Sequence, residues 1–127
     1  MRRACGGFAL LALAAAAPGA HAHFQLLYTP EAALNESAAI PLALVFAHPF
    51  DNGITMDMGT PQEFYVVGQR GEGEPRTTDL MQYLEPIEWA GVETKAAAYV
   101  ANPPRSVTRS LGDYTFVLRP APFYEAR

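Results

Sequence analysis

Two histidines offer the most distinctive chemistry in this sequence. His23 directly follows the tripeptide Ala-His-Ala, and His48 ends an apolar run in the segment FAHPFDNG. If the chain is cut before His23, that residue carries both a free α-amine and a ring Nδ1, which together can chelate one metal ion near neutral pH. His48 would then add a third nitrogen. Such a nitrogen-rich set suits Ni(II), Co(II), Cu(II) or Zn(II).

Three further residues could extend this set. Asp51 stands in the turn sequence DNG, and Met56 and Met58 form an M-x-M pair in GITMDMG. Thioethers are soft ligands that favour Cu(I), but methionines at such positions more often fill a hydrophobic core. Asp51 is equally a typical turn residue. We therefore treat His23 and His48 as the predicted metal ligands, with Asp51, Met56 and Met58 as additional candidates.

The opposing interpretation is that neither histidine binds a metal. Any residue can follow a cleaved Ala-x-Ala motif, and a histidine at a strand end is more often a packed or surface residue than a ligand. Signals for catalysis are weak as well, because the sequence contains no Gly-rich phosphate loop and no G-x-S-x-G motif. We expect a binding protein rather than an enzyme.

The first 22 residues have the layout of a secretory signal peptide. Arg2 and Arg3 precede an apolar run over residues 8–17, and small residues occupy the positions before the predicted cut after Ala22. The remaining residues, 23–127, contain no apolar stretch of the roughly 20 residues that a spanning helix needs. The sequence thus predicts an exported chain with no membrane span after cleavage.

Composition narrows the range of partners. Removal of the leader takes two of the nine basic residues and no acidic ones, which leaves seven against 13 and a net charge of −6. Nucleic acid is therefore an improbable partner. Cys5, the one cysteine, leaves with the leader, so that disulfides and thiolate metal sites are excluded from the mature chain. Its length fits one domain of about 100 residues.

Short runs of β-favouring residues between Pro, Gly and Asn punctuation predict an all-β fold. The predicted strands are Phe24–Tyr28, Ala39–Phe46, Glu63–Val67, Tyr83–Trp89, Thr94–Val100 and Tyr114–Arg119. Residues 30–37 could form either a helical turn or a loop. The pattern as a whole indicates an immunoglobulin-like β-sandwich.

The segment LGDYTFVL adds support for this architecture. Leu-x-x-Tyr before an alternating strand is typical of a tyrosine corner, in which the Tyr114 hydroxyl would bond to nearby backbone, although Tyr114 could also be a simple strand aromatic. The final segment, RPAPFYEAR, contains no further predicted strand. We therefore expect either that the sandwich is truncated at its C-terminus or that these residues lie along a sheet edge.

Three segments together resemble a known family. AHAHFQLLYTPE, FAHPFDNGITMDMGTPQEFYV and SLGDYTFVLRPAPFYE are similar to a periplasmic family of unknown-function proteins, described as an accessory component of nickel and cobalt energy-coupling-factor uptake transporters. The resemblance covers nearly the whole mature chain. It implies a periplasmic protein that takes Ni(II) or Co(II) as its bound substrate, with His23 and His48 as ligands and membrane components of the transporter as partners. It also implies that the chain corresponds to the N-terminal portion of longer family members.

Two alternatives from other functional classes stay open. One is a copper-binding protein with a histidine brace, either a chaperone or an oxidase, for which the two methionines would be the supporting feature. The other is a metal-free β-sandwich that serves as an interaction module. Metal titration of the processed chain separates the metal-free module from the two metal-binding functions. Nickel-dependent growth separates the nickel or cobalt transport accessory from the copper-binding protein.

Overall fold

The computed structural model describes residues 23–50, 53–91 and 93–124, and this part of the chain is nearly all β. The strands are β1 (Phe24–Tyr28), β2 (Leu42–Ala47), β3 (Thr55–Met56), β4 (Glu63–Gln69), β5 (Arg76–Asp79), β6 (Leu84–Ala90), β7 (Lys95–Ala101) and β8 (Asp113–Arg119). The predicted leader, its cleavage after Ala22, and Asp51 lie outside the described residues. No helix in the described ranges is long and apolar enough to cross a membrane.

The strands form two antiparallel sheets, as a sandwich requires. In the first sheet the order is β1-β2-β7-β6, with β3 also paired to β2, and in the second it is β5-β4-β8. The strand β6 contains Pro86, which is tolerated because β6 lies at a sheet edge and a missing N–H there need not interrupt the ladder. The predicted all-β sandwich is confirmed.

A hydrophobic core joins the two sheets. Leu42 and Leu44 of β2 alternate onto the inner face and belong to the same buried cluster as Phe64 and Val66 of β4. Val45, the residue after Leu44, therefore faces outward, and it belongs to a smaller cluster on the outer side of the first sheet. Burial of aliphatic and aromatic surface between the sheets is the main stabilising contribution to such a fold.

The short strand β3 fills a gap between β2 and β7. It pairs with β2 at Phe46 and Ala47, beyond the three residues of β2 that pair directly with β7. The chain after β3 bonds to β7 instead: the Asp57 carboxylate accepts the Ala97 N–H at 2.8 Å, and the Met58 N–H donates to the Ala97 carbonyl at 2.9 Å. The Asp57 side chain thus takes the place of a backbone carbonyl as the partner of the Ala97 N–H.

The predicted tyrosine corner is also confirmed. The Tyr114 hydroxyl donates to the Ser110 carbonyl at 2.7 Å and accepts the Ser110 N–H at 3.2 Å. Gly68 lies opposite Tyr114 in the β4–β8 ladder, and a Cβ at that position would stand 3.0 Å from the tyrosine ring. A larger residue at this position would crowd the ring, and glycine lets it lie close against β4.

Several local features differ from the sequence prediction. The strands β3 and β5 were not predicted, nor were two 3₁₀ turns, Met81–Tyr83 and Arg105–Thr108. Between β1 and β2 the chain forms a loop, so the loop alternative for residues 30–37 is the correct one. The predicted second strand, Ala39–Phe46, begins at Leu42 and ends at Ala47.

Candidate metal centre

The two predicted ligands lie next to each other at one end of the first sheet. The β1–β2 ladder pairs Phe24 with Ala47, and the same register continued by one residue places His23 opposite His48. The ring centroids of His23 and His48 are 4.1 Å apart, with an interplanar angle of 55°. Cross-strand neighbours of this kind have Cβ atoms about 5 Å apart, which is short enough for both side chains to reach one ion. We call these two residues the histidine pair.

Two phenylalanines border the histidine pair on its inner side. Phe46 of β2 lies 5.7 Å from the His23 ring, and Phe123 lies 5.5 Å from it on the segment that follows β8. The two phenylalanine rings also contact each other edge-to-face at 4.9 Å. Both histidines are partly buried, and the two phenylalanines restrict the ring of His23, which in turn contacts His48.

The turn after His48 depends on a glycine. The His48 N–H donates to the Ile54 carbonyl, and the Gly53 N–H donates to the Phe50 carbonyl, each at 3.1 Å. A Cβ built on Gly53 would overlap the His48 Cβ, so any other residue would push the returning chain away from the histidine. Gly53 thus allows the returning chain to pass directly beside His48.

The additional candidate ligands occupy different places. Met58 is only 5% exposed and belongs to the main core, where its sulfur accepts a hydrogen bond from the Gln25 amide at 3.3 Å. Met56 lies opposite Phe46 in the β2–β3 pair and is partly buried. Strand β3 ends at Met56, before the second methionine of the M-x-M pair, and Met58 fills the core, as methionines at such positions more often do. Asp51 lies outside the described residues.

A cavity of about 430 Å³ opens beside the histidine pair. Phe46 and Phe123, which contact His23, line it together with Met58 and Gln25. Gln25 also donates to the Val45 carbonyl at 3.0 Å, which fixes the position of its amide. Apolar residues provide most of the lining, and its polar members are Gln25, Asp57, Gln62 and Arg119, together with the thioether of Met58.

Within the described ranges, no group of three or more His, Cys, Asp or Glu side chains is placed to hold a metal ion. The described side chains thus offer two nitrogen ligands here, and a three-nitrogen site needs one further donor. Sequence reasoning missed Phe46, Phe123 and Gln25 as neighbours of the pair. The sequence does show aromatic residues in the Pro-rich final segment, Phe123 among them. Which surface they contact depends on the path of the chain after β8, which the sequence does not reveal.

The fold and the paired histidines define a small β-sandwich with a candidate ligand site at one end. The family model described as a domain of unknown function, DUF4198, matches residues 20–127, and the chain belongs to this family. Comparison with curated proteins finds no match, and comparison with solved structures finds none either.

Proposed function

We propose that this protein binds a transition-metal ion, Ni(II) or Co(II), through His23 and His48, and that it serves as a periplasmic accessory of a nickel or cobalt uptake transporter. The observation that carries the proposal is the cross-strand histidine pair with ring centroids 4.1 Å apart. The metal in this proposal is the transported substrate. No reaction is assigned to the protein.

The spacing of the two rings supports coordination of one ion. A metal–nitrogen bond of about 2.0–2.1 Å and roughly 1.1 Å from nitrogen to ring centroid place two imidazoles in adjacent square-planar positions with centroids roughly 4.4 Å apart. The observed 4.1 Å is close to that value. Imidazoles in opposite positions would need a separation of roughly 6 Å.

Cleavage after Ala22 would supply the third nitrogen. The new α-amine and the His23 Nδ1 belong to one residue and form a chelate, to which His48 adds a donor from the neighbouring strand. Because the strand register and the phenylalanine contacts already hold the pair, little side-chain freedom is lost on binding. The net charge of −6 after cleavage also favours cations over anions around the molecule.

The choice of Ni(II) or Co(II) and the link to uptake rest on the family resemblance. Nitrogen ligands alone would hold Cu(II) more tightly than Ni(II), so affinity by itself does not identify the natural metal. Loss of growth under nickel limitation, on deletion of the gene, is the expected cellular result. Unchanged growth on limiting nickel or cobalt would contradict the transport role.

Calorimetric titration tests the chemistry directly. Protein with His23 as its first residue, verified by intact mass, is expected to bind Ni(II) tightly. One alanine added before His23 converts the amine to an amide and should abolish tight binding, whereas His48→Ala should weaken it but leave the two-nitrogen chelate. The melting temperature of the extended variant without metal is the control for folding. Equal binding by the native and extended chains would contradict the proposal.

A copper-binding role is the second candidate, and one observation favours it. Met58 lines the cavity beside the histidine pair, and two other residues of that lining, Phe46 and Phe123, contact His23. If Met58→Leu lowers the affinity for Cu(I) more than His48→Ala lowers the affinity for Ni(II), and if deletion of the gene gives copper-dependent phenotypes, the copper-binding role is favoured. Failure of every metal to bind would leave the metal-free interaction module.

A further inference from the structure

A second cavity, of about 510 Å³, lies at the opposite end of the sandwich from the histidine pair. Tyr114, at the start of β8, lines this cavity, whereas Arg119, at the end of the same strand, lines the cavity beside the histidines. Strand β8 contains seven residues, which makes it roughly 20 Å long. The two cavities are therefore separate, and a ligand in the second does not require a metal ion at the histidine pair.

Three arginines line this second cavity: Arg70, Arg76 and Arg109. They are three of the seven basic residues that the predicted mature chain retains, although the molecule as a whole is acidic. No ion pair found between described residues includes any of them, and Glu74 is the one acidic residue in the lining. The lining therefore has an excess of two positive charges. We call this space the arginine cavity.

The rest of the lining combines apolar and polar side chains in about equal number. Val66 is 1% exposed, and Tyr83 and Val107 are partly buried, whereas Leu111 and the three arginines are exposed. A purely inorganic anion would leave the apolar part of this lining without contacts. A ligand with a carbon body and anionic ends would contact both the apolar surface and the guanidinium groups, which bind carboxylates in a planar, two-pronged geometry.

Hydrogen bonds fix the two sides of the arginine cavity. On the β4–β5 side, the Gln69 amide donates to the carbonyls of Gly71 and Gly73, at 2.9 and 2.5 Å, and holds the turn that follows Arg70. On the other side, the Thr108 hydroxyl donates to the Ala38 carbonyl at 3.0 Å, next to Arg109. Both backbone segments that present arginines are thus held in place without a ligand.

We propose that the arginine cavity binds a small organic anion with two or three carboxylate groups. The three guanidinium groups receive the carboxylates, and the apolar side chains of Val66, Tyr83 and Val107 contact the carbon chain between them. The cavity volume is in the range of small-molecule sites. This site is distinct from the proposed metal centre in both position and ligand chemistry.

Calorimetry on the full exported chain, in metal-free buffer of low ionic strength, tests this proposal. Succinate, glutarate and citrate are the organic probes, and inorganic phosphate and sulfate are the comparison arms. We expect at least one carboxylate to bind with a dissociation constant below about 1 mM. Arg70→Gln, Arg76→Gln and Arg109→Gln should each weaken that binding on the order of tenfold, and phosphate should bind at least tenfold more weakly than the best carboxylate.

Arg105→Gln is the matched control. Arg105 is exposed and lies four residues before Arg109, but it does not line the cavity. Its loss removes the same charge nearby and should change affinity by no more than about twofold. Equal weakening by Arg105→Gln, equal binding of phosphate, or no binding of any carboxylate would each overturn the proposal. Since the three cavity arginines are tested separately, one variant that fails to fold does not prevent the test.

Discussion

At the scale of single residues, the structure assigns two kinds of neighbour to the histidine pair. The partner across the strands is another potential ligand, whereas the inner neighbours are the phenylalanines at positions 46 and 123. Apolar neighbours cannot coordinate a metal, but they restrict the ring orientations and reduce access of water. We therefore expect substitutions at these two aromatic positions to act through the placement of the rings.

Phe123 provides the clearest test of that role. It is half exposed and contacts both His23 and Phe46, whereas Tyr124 beside it is 85% exposed. Phe123→Ala should lower the free energy of unfolding by about 1 kcal/mol, the usual size of an aromatic pair. Tyr124→Ala, the control, should have almost no effect. Chemical denaturation of both variants measures the difference, and equal effects would mean that the Phe123 contacts do not stabilise the fold.

The two methionines should behave differently from each other. Met58 is buried in the core, so Met58→Ala should cost about 2–5 kcal/mol, while Met56→Ala at a half-buried position should cost much less. Denaturation curves measure both.

The double replacement of Met56 and Met58 by leucine should leave the affinity for Ni(II) unchanged, because thioethers favour Cu(I). A large loss of Ni(II) binding in that double variant would show that a thioether takes part in the nickel site.

At the scale of secondary-structure elements, the tyrosine corner anchors the segment that leads into β8. The Tyr114 hydroxyl forms both of its hydrogen bonds with the backbone of Ser110. Tyr114→Phe removes them and should lower the free energy of unfolding by about 1 kcal/mol. Tyr65→Phe is the control, since Tyr65 is partly buried on β4 and no hydrogen bond of its hydroxyl is seen among the described residues. Thermal or urea unfolding that shows no difference would mean that Tyr114 stabilises β8 by packing alone.

The strands that could be predicted are those with apolar alternation. β1 has the bounds that its sequence pattern indicates, and β4 and β8 differ only at their ends. β5 was missed because Arg-Thr-Thr-Asp is exposed at every residue on a sheet edge, and β3 because it is two residues long and exists through its pairing with β2. Backbone pairing of this kind leaves little trace in local hydrophobicity.

The histidine pair could be proposed from the sequence for a related reason. His23 begins one predicted strand and His48 follows the next, so an antiparallel hairpin of these strands brings their outer ends together. The register that places the rings side by side could not be derived, because it depends on the 13-residue stretch between the strands. Nor could the arginine cavity be predicted, since its three arginines come from two distant parts of the chain.

At the scale of the whole molecule, metal binding to the folded chain should stabilise it. At a free Ni(II) concentration about 100 times the dissociation constant, the gain is about 2.7 kcal/mol, which corresponds to roughly 10 °C or more in melting temperature for a domain of this size. The gain should shrink as the pH falls from about 7.5 to 5.5, because protons compete for the amine and imidazole nitrogens. Differential scanning calorimetry with and without Ni(II) measures it. A shift that is independent of pH would indicate oxygen ligands instead.

The path of the chain after β8 has a practical consequence for anyone producing this protein. β1 starts directly after His23, and the segment after β8 brings Phe123 against the same histidine ring. If the proposed chelate is correct, an affinity tag joined to His23 would block its amine, and a histidine tag attached close to Phe123 would compete for the same ions. The exposed loop of residues 31–36 follows the far end of β1. A purification handle inserted there leaves the surroundings of the histidine pair unchanged, so binding measured on such material reflects the protein rather than its tag.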